Sequence, residues 1–167
     1  NWKKKVLTKL SGGLDQLCKK YKVERVQGKA RFEDGKFVAV EGGEVPRIKF
    51  RRAIVATGSR AVELRGVQID SPRVLNSRTA LDLEDIPKSL LVIGGGYIGI
   101  ELGQVYAAFG SKVTVVEMLD SIIPGVDRDL ARPLLKRLEE DFQEICLNTK
   151  VTSMKEAANG ISLEFEG

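Results

Sequence analysis

The stretch that decides the fold is Leu90-Leu91-Val92-Ile93-Gly94-Gly95-Gly96-Tyr97-Ile98-Gly99-Ile100-Glu101-Leu102-Gly103. Four apolar residues in succession read as a buried strand, and they stop at three glycines. Behind the glycines, Tyr97 to Phe109 has the pattern of a helix, with Gly110 placed to cap its C-terminus. A second apolar strand, Lys112 to Glu117, follows at once. Strand, glycine turn, helix and strand in this order predict a βαβ unit and therefore a parallel sheet.

The glycine spacing in that unit is the dinucleotide-binding pattern of a Rossmann-like domain, and each glycine has a physical task in it. Gly94 makes the tight turn, Gly96 lets the backbone approach a pyrophosphate, and Gly99 lets helix and strand pack closely. Gly103, one turn on, extends that close contact. The pyrophosphate is expected on the helix N-terminus, where free N–H groups and the positive dipole end face it. Glu117 ends the second strand about twenty residues further on, where a carboxylate accepts hydrogen bonds from both ribose hydroxyls. A 2′-phosphate there is repelled, and Met118-Leu119-Asp120-Ser121 offers no arginine to neutralise it, so NAD(H) is expected over NADP(H). The glycines by themselves do not choose between NAD and FAD, because both carry the same ADP half.

On the N-terminal side, Val6, Leu7, Leu10, Leu14 and Leu17 recur at helical steps and predict an amphipathic helix ending near Lys22. The period then changes. Val23 to Gly28, Ala30 to Glu33, Phe37 to Glu41 and Ile48 to Ala56 read as strands parted by Asp34-Gly35 and Gly42-Gly43, the last three as a β-meander. The closing strand is expected to be buried at Ala53-Ile54-Val55-Ala56 and to stop at the turn Thr57-Gly58-Ser59. Residues 60–88 read as a connector with one short helix around Thr79 to Leu83. After the βαβ unit, a helix from Asp127 to about Asp141 carries Leu130, Leu134, Leu135 and Leu138 on one side. Strands are then expected at Glu144 to Leu147, Val151 to Lys155 and Ile161 to Phe165.

The 167 residues carry a net charge of +4 with the basic groups scattered and only 6% aromatics, which argues against a nucleic-acid surface. There is no histidine, so imidazole chemistry has to come from elsewhere. Cys18 and Cys146 have neither metal-site nor redox spacing, and no metal site is expected. No run reaches the roughly 20 apolar residues of a membrane span, and Lys3-Lys4-Lys5 opens no signal peptide, so a cytoplasmic location with no membrane partner is the expectation.

Leu91 to Gly103, Val115-Val116-Glu117-Met118, Ile123-Pro124-Gly125-Val126-Asp127-Arg128-Asp129-Leu130 and Leu147-Asn148-Thr149-Lys150-Val151 resemble, in order, the NAD domain of the pyridine nucleotide-disulfide oxidoreductases. Upstream, Arg52-Ala53-Ile54-Val55-Ala56-Thr57-Gly58-Ser59 resembles the second flavin-binding segment of that family. The resemblance makes the glycine loop the NAD site. It implies that Gly94, Gly95, Gly96, Tyr97, Ile98, Gly99, Ile100 and Glu101 surround the pyrophosphate and the nicotinamide approach, with Glu117 at the ribose and Val151 at the adenine edge. Tyr97 falls where relatives place a tyrosine that covers the flavin, and Glu101 where they place a carboxylate paired with a lysine. For FAD it implies Thr57, Gly58 and Ser59 after the strand, and Ala30 as a small residue whose backbone touches the adenine.

Within the family the likeness is strongest to the branch that oxidises dihydrolipoamide through a disulfide and FAD, with NAD+ as the acceptor. That branch implies a homodimer and, as partner, the lipoyl domain of a 2-oxoacid dehydrogenase complex. The family's first flavin glycine loop, its Cys-x4-Cys pair, its later flavin-binding aspartate and its dimerisation domain with a His-Glu pair have no counterpart in this sequence. The chain is therefore expected to be a middle piece of a longer polypeptide: residues 1–82 part of an FAD-binding domain, residues 83–167 most of an NAD-binding domain. No catalytic residue is assigned in it, and taken alone it is expected to be inactive. Two other readings stand beside this one: a stand-alone NAD(H)-binding module without catalysis, and a sibling reductase of the glutathione or mercuric type.

Overall fold

A computed structural model describes residues 2–62, 64, 66, 69–82 and 84–167. The chain divides after Gly58 into two compact units, so that the connector belongs with the C-terminal one.

The first unit opens with helix α1, Trp2–Lys20. Its leucines fall on one side as their spacing predicts, yet no residue of the helix is buried, and Leu7, Leu10, Leu14 and Leu17 are exposed. Strands β1 (Lys29–Phe32), β2 (Phe37–Glu41) and β3 (Arg47–Lys49) form the expected antiparallel meander, with Ala30 opposite Val40 and Val38 opposite Ile48. Asp34 shapes the first turn by accepting from the N–H groups of Lys36 and Phe37 at 2.7 and 2.9 Å, an Asx-type turn.

Two strand expectations fail here. Residues 23–28 form no strand. β3 stops at Lys49, and Ala53 to Ala56 is exposed coil in place of a buried strand, Ile54 being 95% exposed. Both segments have strand-like composition, but a strand exists only through a neighbour's hydrogen bonds, and neither segment is paired with a described strand.

The second unit holds the parallel sheet. Strands β4 (Ser89–Ile93), β5 (Lys112–Val116) and β6 (Glu144–Cys146) lie in the order β4-β5-β6, with Leu90 beside Val113, Val92 beside Val115 and Val116 beside Cys146. Helix α2 (Tyr97–Ala108) crosses between β4 and β5, and Gly110, at φ +99°, takes the left-handed position just past its cap. Helix α3 (Arg128–Asp141) crosses between β5 and β6.

Ile100, Tyr106, Val113, Val115, Ile122, Leu138 and Phe142 form one core, joined from the connector by Ala80. Tyr106 secures that join: its hydroxyl donates to the carbonyl of Ala80 at 2.9 Å. Ala80 lies in a 3-10 turn, Thr79–Leu81, which occupies the place of the expected short helix; Leu83, its expected end, lies outside the described residues. Leu130 does not join the core with Leu134, Leu135 and Leu138 but is 68% exposed. At 3.6 residues per turn it lies about 80° round the helix from Leu138, beyond the margin of the buried stripe.

A hairpin of β7 (Lys150–Ala157) and β8 (Gly160–Glu166) closes the unit. The connector ties down its tip. Ser71 donates to Glu156 at 3.0 Å, and Arg73 donates to the carbonyls of Ala157 and Ala158 at 3.1 and 3.5 Å. No helix among the described residues is long and apolar enough to cross a membrane.

Candidate functional site

The glycine loop joins β4 to α2, and each glycine can be read from what a side chain would meet there. Gly94 has φ +101°, a conformation glycine adopts freely, and its N–H donates to the carbonyl of Val116 at 2.8 Å, so the β4–β5 pairing runs up to the turn. At Gly99 a Cβ would lie 2.5 Å from the carbonyl oxygen of Gly94 and 2.9 Å from Val92 Cγ1, so the helix packs on the strand only without one. Gly103 extends that packing: its Cβ would meet Phe142 at 3.0 Å and Val113 at 3.4 Å. Gly96 differs, since nothing lies within 4 Å of a Cβ there. It is the N-cap of α2, with φ −70° and ψ 166°, and no side chain caps the helix. The first N–H groups of an α-helix have no partner within the helix, so this end can receive an anion.

Glu117, directly after β5, is 7% exposed. Its Oε2 accepts from the N–H of Gly95 at 2.6 Å and its Oε1 from the N–H of Leu119 at 2.8 Å. Its backbone is held as well, donating to the carbonyl of Cys146 at 2.8 Å and accepting from the N–H of Thr149 at 2.9 Å. The N–H of Ile123 donates to the carbonyl of Gly95 at 2.8 Å. The residues expected at the pyrophosphate and the ribose are thus brought together.

Around them, Tyr97, Ile98 and Glu101 are exposed on the first turns of α2, whereas the side chain of Ile100 belongs to the core. Val151 is buried on β7 opposite Phe165, two residues beyond Thr149. In the first unit Ala30 lies on β1, and Thr57 and Gly58, like Ser59 after them, are exposed and outside any strand, with Gly58 at φ +74°.

Leu119, Ile123 and Thr149 contribute through backbone groups that sequence reasoning did not select. Side-chain type carries no signal for such a role, although Ile123 and Thr149 each lie within a stretch that carries the family resemblance. The thiol of Cys146 on β6 is pushed above its ordinary value, first by burial and then by the carboxylate of Glu144. Cys146 and Cys18 are both free. Three residues after Glu117, Asp120 forms an ion pair with Arg128 at the start of α3.

Residues 3–166 match the model of the pyridine nucleotide-disulphide oxidoreductase family, and the chain belongs to that family. Among curated relatives it is 42% identical over 167 residues to a dihydrolipoyl dehydrogenase of Vibrio parahaemolyticus and 43% identical over 166 residues to one of Geobacillus stearothermophilus. These matches cover 99% of this chain but 35% of each relative, so the chain spans about a third of their length. Among solved structures, the HOCl-induced flavoprotein disulfide reductase RclA from Escherichia coli superposes with a TM-score of 0.72 at 31% identity, over 83% of this chain and 32% of that one.

Proposed function

We propose that this chain is the nicotinamide-binding portion, with part of the flavin-binding portion, of a dihydrolipoyl dehydrogenase. The observation that carries the reading is the pairing of the open, uncapped start of α2 at Gly96 with the buried carboxylate of Glu117. An uncapped helix end takes an anion, and a carboxylate at the end of the next strand takes a diol, so together they suit the ADP half of a dinucleotide. The level of identity to dihydrolipoyl dehydrogenases across the whole chain supports that branch of the family.

In this reading Gly94, Gly95, Gly96, Tyr97, Ile98, Gly99, Ile100 and Glu101 form the NAD loop, Glu117 takes the ribose, and Val151 lines the adenine edge. Gly96 leaves room for the pyrophosphate, and Tyr97 and Glu101, being exposed, are free to meet the nicotinamide end. Ala30, Thr57, Gly58 and Ser59 are the flavin contacts, and Thr57, Gly58 and Ser59 are exposed around the left-handed turn at Gly58. When bound, NAD+ supplies the hydride acceptor and FAD the relay to it. The whole enzyme is a cytoplasmic homodimer that serves the lipoyl domain of a 2-oxoacid dehydrogenase complex. Divided into cofactor domains, residues 1–82 go with FAD and residues 83–167 with NAD.

Glu117 selects NAD(H) because a 2′-phosphate beside a carboxylate is a like-charge contact, which costs several kcal/mol. Titrating the chain with NADH and NADPH tests this: NADH should bind about tenfold or more tightly. Equal or tighter NADPH binding would overturn it. Cys18 and Cys146 cannot form a Cys-x4-Cys pair, so the chain alone should give no lipoamide-dependent turnover, and a rate above background would contradict the assignment.

A further inference from the structure

We propose that Glu117 is also a positioning residue, which holds the glycine loop in its binding shape before any nucleotide arrives. Three consecutive glycines lose more conformational freedom on ordering than any other triplet, so the loop needs an external restraint. Gly95 is where that restraint acts. Its N–H goes to Glu117 Oε2 at 2.6 Å and its carbonyl receives the N–H of Ile123 at 2.8 Å, so both polar groups turn toward the segment after β5 and away from a ligand role.

Packing agrees with this. A Cβ on Gly95 would lie 3.2 Å from Glu117 Cβ and 3.4 Å from Cγ, so the glutamate stem fills the space that a side chain on residue 95 would need. The second carboxylate oxygen holds the N–H of Leu119 at 2.8 Å, which fixes the direction of the carboxylate itself. Hydrogen bonds from N–H groups to a buried carboxylate are charge-assisted and stronger than neutral ones. The far side of the clamp is held against resistance, because Ile123, a β-branched residue, adopts φ +50°.

The ribose-reading carboxylate of the proposed site therefore also builds the pyrophosphate cradle; the nucleotide half of this inference rests on that reading, and the loop half does not. Each carboxylate oxygen keeps a second lone pair, so the clamp and a ribose diol are compatible.

Two measurements on the 167-residue chain test it, using E117Q and E117A. The first is amide exchange without nucleotide, with Val115 in the middle of the sheet as the control for an intact fold. Gly95 and Leu119 should exchange about tenfold or more faster in E117A, with E117Q intermediate because its amide has one acceptor oxygen. Exchange at Gly95 within about twofold of the parent chain, with the sheet intact, would overturn the proposal. The second compares ADP with 2′,3′-dideoxy-ADP, which has no ribose hydroxyl for Glu117 to read. If Glu117 shapes the loop, E117A weakens the dideoxy nucleotide as well; if it only reads ribose, dideoxy-ADP affinity is unchanged and the proposal fails. Should neither nucleotide bind the parent chain, the dinucleotide reading fails, and the exchange measurement still decides the role of Glu117 in the loop.

Discussion

The carbonyl oxygen of Gly94 lies 2.5 Å from the point a Cβ on Gly99 would occupy, so the two outer glycines of the loop are in direct steric contact across the start of α2. That contact separates the glycines the fold requires from the one a ligand requires.

Gly99→Ala should destabilise the chain by about 1–3 kcal/mol, the usual cost of forcing an extra carbon into a packed site. Gly96→Ala, with open space at its Cβ and φ −70°, should cost under about 1 kcal/mol. Binding should show the reverse contrast. Gly96→Ala should weaken NADH by about tenfold or more, because the methyl holds the pyrophosphate away from the helix N–H groups. Denaturant unfolding and NADH titration of both variants check the pair; equal stability losses would contradict the assignment.

Tyr106→Phe should cost about 1–2 kcal/mol, since it leaves the buried carbonyl of Ala80 without its donor. Burial pushes the Tyr106 phenol above its ordinary 10.0, so the folded state favours the protonated form more than the unfolded chain does. The corresponding stability is fully present below about pH 10 and is lost as pH rises through the higher folded value. Unfolding free energy measured from pH 8 to 11 should fall more steeply in the parent chain than in Tyr106→Phe.

Cys146 should react slowly with thiol reagents. Burial and the neighbouring Glu144 both disfavour its thiolate, which is the reactive form. Iodoacetamide labelling at pH 8, followed by mass spectrometry, should modify Cys146 more slowly in the folded chain than in urea. Equal rates would show that the thiolate is not suppressed.

Arg73→Ala should loosen the β7–β8 hairpin tip and change little else. The guanidinium holds the carbonyls of Ala157 and Ala158, but it is half exposed, as is the Glu156 carboxylate 3.6 Å away, so the global loss should stay below about 1 kcal/mol. Faster amide exchange confined to residues around Asn159 is the expected signature.

The elements legible in the sequence are those whose signal is local. Glycine spacing, the apolar runs of β4 and β5, and the Asp127 start of α3 each mark a boundary within a few residues, and the βαβ unit is found where they place it. The strand expected at residues 23–28 and the far half of the one expected at Ile48 to Ala56 do not form, although their composition is equally strand-like. Composition expresses a preference, and pairing with another segment realises it. Leu130 shows the same limit on a helix, where a shift of one position in the apolar stripe separates burial from exposure.

At the site, the sequence by itself determined which residues could meet: a turn glycine, two close-approach glycines and an acidic residue at the end of the next strand. Only the tertiary structure decided what the carboxylate of Glu117 does within the chain, turning it onto the N–H groups of Gly95 and Leu119, and what holds Gly95 from the other side through Ile123. Every residue except proline carries the same backbone N–H, so which of them faces a given carboxylate is settled by the path of the folded chain and not by the identity of the donor's side chain.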